Sequence, residues 1–175
     1  MKKRIVFFVL LSGIFLLEGF VNVDKREINW ITPAELSVAY AQNPKPIFID
    51  LYTDWCGWCK RMDRTTFRNE KLINYVNENF YAIKFNAEST EPITFAGKTY
   101  QYDSAWRVHE FAVFVSRRNL EFPQTIFLSD LKATPAPLIG YRKASEMEAP
   151  IKYFGERANL TQSFEAFSKT FKKKW

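Results

Sequence analysis

The chain is 175 residues long, enough for one domain with a full hydrophobic core, and its 17 Phe, 8 Tyr and 5 Trp exclude intrinsic disorder. Its 25 Lys and Arg against 19 Asp and Glu give a formal net charge of +6. That excess is modest and densest in the tail Lys172-Lys173-Lys174. With no Gly-rich phosphate loop and no nucleic-acid motif beside it, it reads as a solvated tail, and nucleic acid is not an expected partner.

The amino terminus, Met1-Lys2-Lys3-Arg4 followed by apolar residues from Ile5 to Leu17, has the basic and apolar regions of an export signal. The run is short for a membrane span. Leu17-Glu18-Gly19 is a poor cleavage site, so residues 1–19 are either a signal peptide or an uncleaved N-terminal anchor. No cysteine follows the apolar run, which argues against a lipoprotein. The expected location is exported and periplasmic.

Thr32-Pro33-Ala34-Glu35 predicts a helix start: Thr32 caps, Pro33 suits the first helical position and Glu35 completes a capping box. That helix should end before Asn43-Pro44. Residues 46–52 form a nearly continuous apolar run, as in a strand covered on both faces. A helix from about Cys56 to Phe67 and a second over about 70–79 follow, and Phe80 to Asn86 alternates as a strand. Such a β-α-β unit predicts parallel strands joined by a right-handed crossover.

Residues 88–121 suggest a small hairpin over 93–102 and then a helix from Ser104 to Arg118 carrying His109, which reads as a surface or internally satisfied residue. A strand over Phe122–Leu128 and another over Leu138–Arg142 would pair as an antiparallel hairpin, with Pro135 and Pro137 suited to an edge. Gly140 is a candidate for close backbone packing. A helix over 144–156 should cover the sheet. An amphipathic helix over 160–171, with Leu160, Phe164, Phe167 and Phe171, should pack on the domain's own surface.

Both cysteines lie in Trp55-Cys56-Gly57-Trp58-Cys59-Lys60, between an apolar strand and a helix. There the first sulfur meets the unpaired N–H groups and positive dipole end of the helix, which stabilise a thiolate. The second, one turn later, can attack a mixed disulfide formed by the first. A purely structural bridge is a weaker reading, because closing so short a loop removes only about 2 kcal/mol worth of unfolded-state entropy. A structural zinc usually wants four Cys or His ligands, and this chain has two Cys and one His.

The run Ile49-Asp50-Leu51-Tyr52-Thr53-Asp54-Trp55-Cys56-Gly57-Trp58-Cys59-Lys60 resembles the active-site stretch of thioredoxin-fold proteins, and Phe122-Pro123-Gln124-Thr125 resembles their cis-proline strand. The nearer look-alikes are exported thioredoxin-like proteins, among them the C-terminal domain of the electron carrier DsbD. The resemblance covers about residues 28–158. It implies an α/β class: a thioredoxin fold, with a central mixed β-sheet flanked by helices. To this the chain adds a hairpin-plus-helix insertion at about 88–121, before the cis-proline strand. Residues 159–175 are expected as a C-terminal amphipathic helix with a basic tail.

The resemblance also implies roles. Cys56 would be the nucleophile and Cys59 the resolving thiol. Asp50 and Lys84 match the buried carboxylate and its accompanying lysine. Trp55, Gly57, Trp58, Phe122 and Pro123 would contact substrate, with Gly57 easing a tight turn and Pro123 following a cis bond. Trp58 departs from the proline that thioredoxin has. No His lies between the cysteines, unlike in strongly oxidising members of the DsbA kind, which favours a reductase.

The expected activity is therefore an exported thiol–disulfide oxidoreductase reducing protein disulfides. A disulfide isomerase or oxidase stays open, as does a non-catalytic metal- or client-binding module. No cofactor beyond the Cys56–Cys59 dithiol/disulfide and no metal is expected. Expected partners are cysteine-containing exported proteins and a membrane or periplasmic electron donor, and the protein is expected to be a monomer.

Overall fold

The structure, a computed structural model, describes residues 27–175; the signal or anchor expected over 1–19 lies outside the described residues. The first helix, α1 (Pro33–Gln42), begins at the expected capping box. The Thr32 hydroxyl accepts from the Glu35 N–H at 3.2 Å, and the Glu35 carboxylate accepts from the Thr32 N–H at 2.7 Å. Two helix-terminal donors are thereby satisfied reciprocally, and α1 ends at Asn43, before Pro44. Next come β1 (Ile47–Tyr52) and α2 (Gly57–Arg64).

The single helix expected up to Phe67 is broken at Thr65, with φ −123° and ψ −70°, and resumes as a 3-10 turn over Thr66–Arg68. Its interruption lets the Thr65 hydroxyl donate to the Arg61 carbonyl and meet the Tyr141 hydroxyl. Asn69 then caps α3 (Glu70–Asn79) through the Leu72 N–H, and β2 (Tyr81–Asn86) follows, parallel to β1.

The four-stranded sheet has the order β2-β1-β7-β8, with β7 (Gln124–Leu128) antiparallel to β1 and β8 (Ala136–Ile139) antiparallel to β7. Strand β8 starts two residues before the expected Leu138 and stops at Ile139, because Gly140 takes φ +86° and turns the chain. That conformation, and not close packing, is what Gly140 provides: a Cβ there would meet nothing within 4 Å. Pro137 sits opposite Ile126 on this edge strand, where its missing N–H is tolerated.

Strand parity divides the core. Ile47, Ile49 and Leu51 point to one face and pack with Leu36, Phe111, Val115, Ile126 and Leu128. Phe48 points to the other and packs with Met62, Leu72, Ile73, Val76 and Ile151. Each such fully buried side chain is worth about 1.5–3 kcal/mol of transfer free energy. The second face is covered by α2, α3 and α5 (Ala144–Gly155), and α6 (Phe164–Thr170) packs back on α5 through Tyr153 and Phe167, whose ring centroids are 5.3 Å apart. Leu160, expected on that last helix, lies instead in a separate 3-10 turn.

The insertion contains the expected hairpin, β3 (Ile93–Phe95) with β4 (Lys98–Tyr100). The expected helix over 104–118 is confined to α4 (Glu110–Val115). Before it come two short strands, β5 (Tyr102–Asp103) and β6 (Val108–His109), paired antiparallel. Between them the Asp103 carboxylate accepts from the backbone N–H groups of Ala105 and Trp106, and Arg107 adopts φ +53°. A local side-chain acceptor of this kind competes with helix formation. His109 is thus not within a helix. It is a buried N-cap, its Nδ1 accepting from the Phe111 N–H and its Nε2 bonded to the Glu91 carbonyl.

Candidate active site

Cys56 follows the β1–α2 turn and is the N-cap of α2; its N–H donates to the Thr53 carbonyl at 3.2 Å. Its Sγ accepts from the Cys59 N–H at 3.0 Å, so one orphan donor of the helix terminus already points at sulfur. Cys56 and Cys59 are joined in a disulfide. Both residues are buried, at 5 % and 3 % exposure. In the oxidised state the two cysteines thus differ little in exposure.

Around the bridge the surface is aromatic. Trp55 and Trp58 are 67 % and 56 % exposed, on either side of Cys56 in sequence. The indole N–H of Trp55 donates to Glu88 at 2.9 Å, and its ring meets Phe122 edge-on at 5.9 Å. Trp58 lies 5.5 Å from Tyr141, and the Arg61 guanidinium sits over both rings. Gly57 is exposed, outside the left-handed region, and a Cβ there would meet nothing within 4 Å. The expected need for glycine in a tight turn is absent.

The peptide bond between Phe122 and Pro123 is cis, as the resemblance implied. Register places it at the redox end of the sheet. Leu51 pairs with Gln124, so Pro123 sits beside the end of β1 from which the cysteine loop departs. The Pro123 carbonyl accepts from the Gly140 N–H at 2.8 Å, which fixes the start of β7 against the end of β8.

On β1, the strand that leads to the cysteine loop, buried Asp50 anchors a charge cluster with the half-buried Lys84 and the more exposed Asp63. Asp50, 2 % exposed, shares the sheet face of Phe48 and pairs in register with Lys84 on one side and Thr125 on the other. The Lys84 ammonium donates to Asp50 at 2.6 Å and to Asp63 at 2.5 Å, and lies 4.7 Å from the centre of the Tyr52 ring. Sequence reasoning missed Asp63. Its signal was its place on α2 one turn after buried Cys59, on the same helix face. Thr125 was also missed; it is buried beside Asp50, and its hydroxyl has no hydrogen-bond partner among the described residues.

Desolvation pushes the Asp50 pKa up to about 6; the Lys84 ammonium opposes this, and the Asp63 charge adds to it. For Lys84, burial pulls downward, but the two carboxylates outweigh it and the pKa is raised. The lysine therefore stays charged while Asp50 titrates at about pH 6. Chemically, the site offers a sulfur pair at a helix terminus and, on the strand before it, a carboxyl group that can exchange a proton near pH 6. Among the described residues, no group of three or more His, Cys, Asp or Glu is placed to hold a metal ion, and no helix is long and apolar enough to cross a membrane.

A family profile described as "Thioredox_DsbH: Protein of unknown function, DUF255" matches residues 19–134. Among curated relatives, the thiol:disulfide interchange protein DsbD of Pectobacterium atrosepticum is 39% identical over 44 residues, which is 25% of this chain and 8% of that protein. The chain thus spans under a tenth of that relative's length. Among solved structures, a thioredoxin-fold protein from Helicobacter pylori aligns with TM-score 0.55 at 18% identity, covering 73% of this chain and 80% of its own. A structure titled "DsbH Oxidoreductase" aligns with TM-score 0.53 at 16% identity, covering 74% and 85%. At these identities the likeness shows the fold, which is the thioredoxin fold expected from the cysteine stretch.

Proposed function

The chain belongs to the Thioredox_DsbH (DUF255) family, and from that premise we propose that it is an exported thiol–disulfide oxidoreductase that reduces disulfides of other proteins. The observation that carries this reading is the placement of Cys56 Sγ at the N-cap of α2, bonded to Cys59 and following the strand that holds the buried Asp50–Lys84 pair.

In the reduced protein the Cys56 thiolate attacks one sulfur of a client disulfide. The client S–S bond breaks, a Cys56–client mixed disulfide forms, and one client thiolate departs. Cys59 then loses its proton to the Asp50 carboxylate and attacks Cys56 Sγ. This forms the intramolecular disulfide and releases the second client thiolate. Two electrons pass to the client, and a membrane or periplasmic dithiol donor must return them. No dissociable cofactor enters this cycle.

Trp55, Trp58 and Phe122 form the apolar rim that a client segment would meet, with Pro123 at its base; Gly57 leaves the backbone beside the sulfur uncovered. Export rests on the basic-then-apolar amino terminus; the family match begins at residue 19, just past it. The test is paired: insulin reduction driven by dithiothreitol, and oxidation of a reduced dithiol peptide by the disulfide form. Reduction should be catalysed and lost in Cys56→Ser. Faster oxidation of the dithiol peptide than reduction of insulin would overturn the reductive direction.

A further inference from the structure

The insertion builds a second feature, away from the sulfur chemistry. Between it and the turn after β7 lies an open groove of about 1180 Å³. Trp106, Phe114 and Leu120 give it apolar walls, all three exposed and Trp106 at 81 %. Lys98, Arg117 and Arg118 line it from the insertion and Lys132 from the turn. Among the described residues, none of these four cations lies in an ion pair. The groove's two acids are already engaged with backbone: Asp103 accepts from Ala105 and Trp106, and Glu110 accepts from the Gln101 N–H at 2.9 Å.

The arginines stand where side chains are disfavoured. Helix α4 closes with the Arg117 N–H donating to the Phe114 carbonyl and the Arg118 N–H to the Val113 carbonyl. Arg117 and Arg118 take φ +54° and +68°. Glycine is the default residue for such a left-handed helix end. Two arginines there hold their guanidinium groups at the groove at a conformational cost.

We propose that this groove docks an extended polypeptide segment of another protein, one carrying carboxylates beside aromatic or aliphatic side chains. Cations without a carboxylate partner among the described residues, Lys98 resting 4.6 Å from the centre of the Tyr100 ring, are interleaved with apolar walls and complement that chemistry. Enclosing sites for small molecules usually hold about 300–1,000 Å³, and this larger, open groove suits a chain laid along it. A nucleic-acid strand fits less well, since Asp103 and Glu110 would face its continuous line of phosphates. The inference stands apart from the redox chemistry, and its test uses a cysteine-free probe.

The test is fluorescence anisotropy on the full-length oxidised protein, with a labelled short peptide alternating glutamate with phenylalanine and leucine. The peptide should bind, and binding should weaken as NaCl rises from about 50 to about 300 mM. Arg117→Gly/Arg118→Gly suits the positive φ angles, so its melting temperature should hold while affinity falls about three- to tenfold. Lys132→Glu, on the opposite wall, should weaken binding independently if the double variant folds poorly. A lysine-for-glutamate analogue binding as well as the peptide would overturn the proposal. So would unchanged affinity in these variants, or tighter binding of a single-stranded oligonucleotide.

Discussion

Replacing Asp50 by Asn removes a buried carboxylate and keeps its shape. The folded pKa is about 6, against 3.8 for the ordinary side chain. The folded state therefore holds the proton more tightly than the unfolded state. Stability from this group is fully present below about pH 4 and is lost as pH rises through about 6. At neutral pH the charged carboxylate is thus a liability, and the shift of about two units corresponds to about 3 kcal/mol at most. Part of that gain is offset, because Lys84 loses one of its two anionic partners and keeps only Asp63.

Asp50→Asn should accordingly stabilise the oxidised protein by about 1–3 kcal/mol near pH 7, and by only a few tenths near pH 4. Urea unfolding at both pH values, with the disulfide intact, measures the difference directly. In the same variant the resolving step should slow more than the initial attack, because Cys59 has lost its proton acceptor. An equal stability change at both pH values, or destabilisation at pH 7, would refute the reasoning about burial. An unchanged resolving step from pH 6 to 9 would remove Asp50 from the chemistry.

Glu148 is buried on α5 and accepts from the N–H groups of Lys174 and Trp175 and from Lys152. Burial pushes its pKa up, but those donors outweigh it and leave it lowered, so its contribution is present above the ordinary glutamate range and fades as pH falls through the folded pKa. Glu148→Gln should cost about 1–3 kcal/mol at pH 7 by thermal or urea unfolding, and increase hydrogen exchange at residues 174–175. Gly155→Ala should destabilise by about 1–3 kcal/mol, since the added Cβ would stand 2.8 Å from the Tyr75 ring; a melting curve tests this. Thr32→Ala should cost about 1 kcal/mol through the capping box, read in the same assay.

Where local rules and tertiary packing agree, the chain declares itself. The Thr32–Glu35 box, the continuous apolar run of β1, the alternation across β2 and the parallel step between them were all legible, because each is a pattern of composition, period or capping within a few residues. Asp50 was legible as a buried charge through the resemblance of the cysteine stretch to the thioredoxin active-site run, and it is buried. Asp63 was not, because on a helix rich in Lys and Arg one more charge reads as surface. Only the docking of α2 on the sheet brings it to Lys84. The insertion was misjudged because Trp106, Phe111 and Val115 mimic a helical stripe, while the Asp103 turn and the positive φ at Arg107 override it. The groove, joined across separate segments, left no mark in any single stretch of sequence.

The central claim is dithiol–disulfide exchange initiated by Cys56. Incubating reduced Cys59→Ser and Cys56→Ser variants with a disulfide-bonded peptide, followed by acid quench and intact mass analysis, tests it most directly. Cys59→Ser should accumulate a one-to-one mixed disulfide mapped to Cys56, and Cys56→Ser should not. A peptide adduct on Cys59 in Cys56→Ser that forms as fast, or no adduct on either variant, would contradict it.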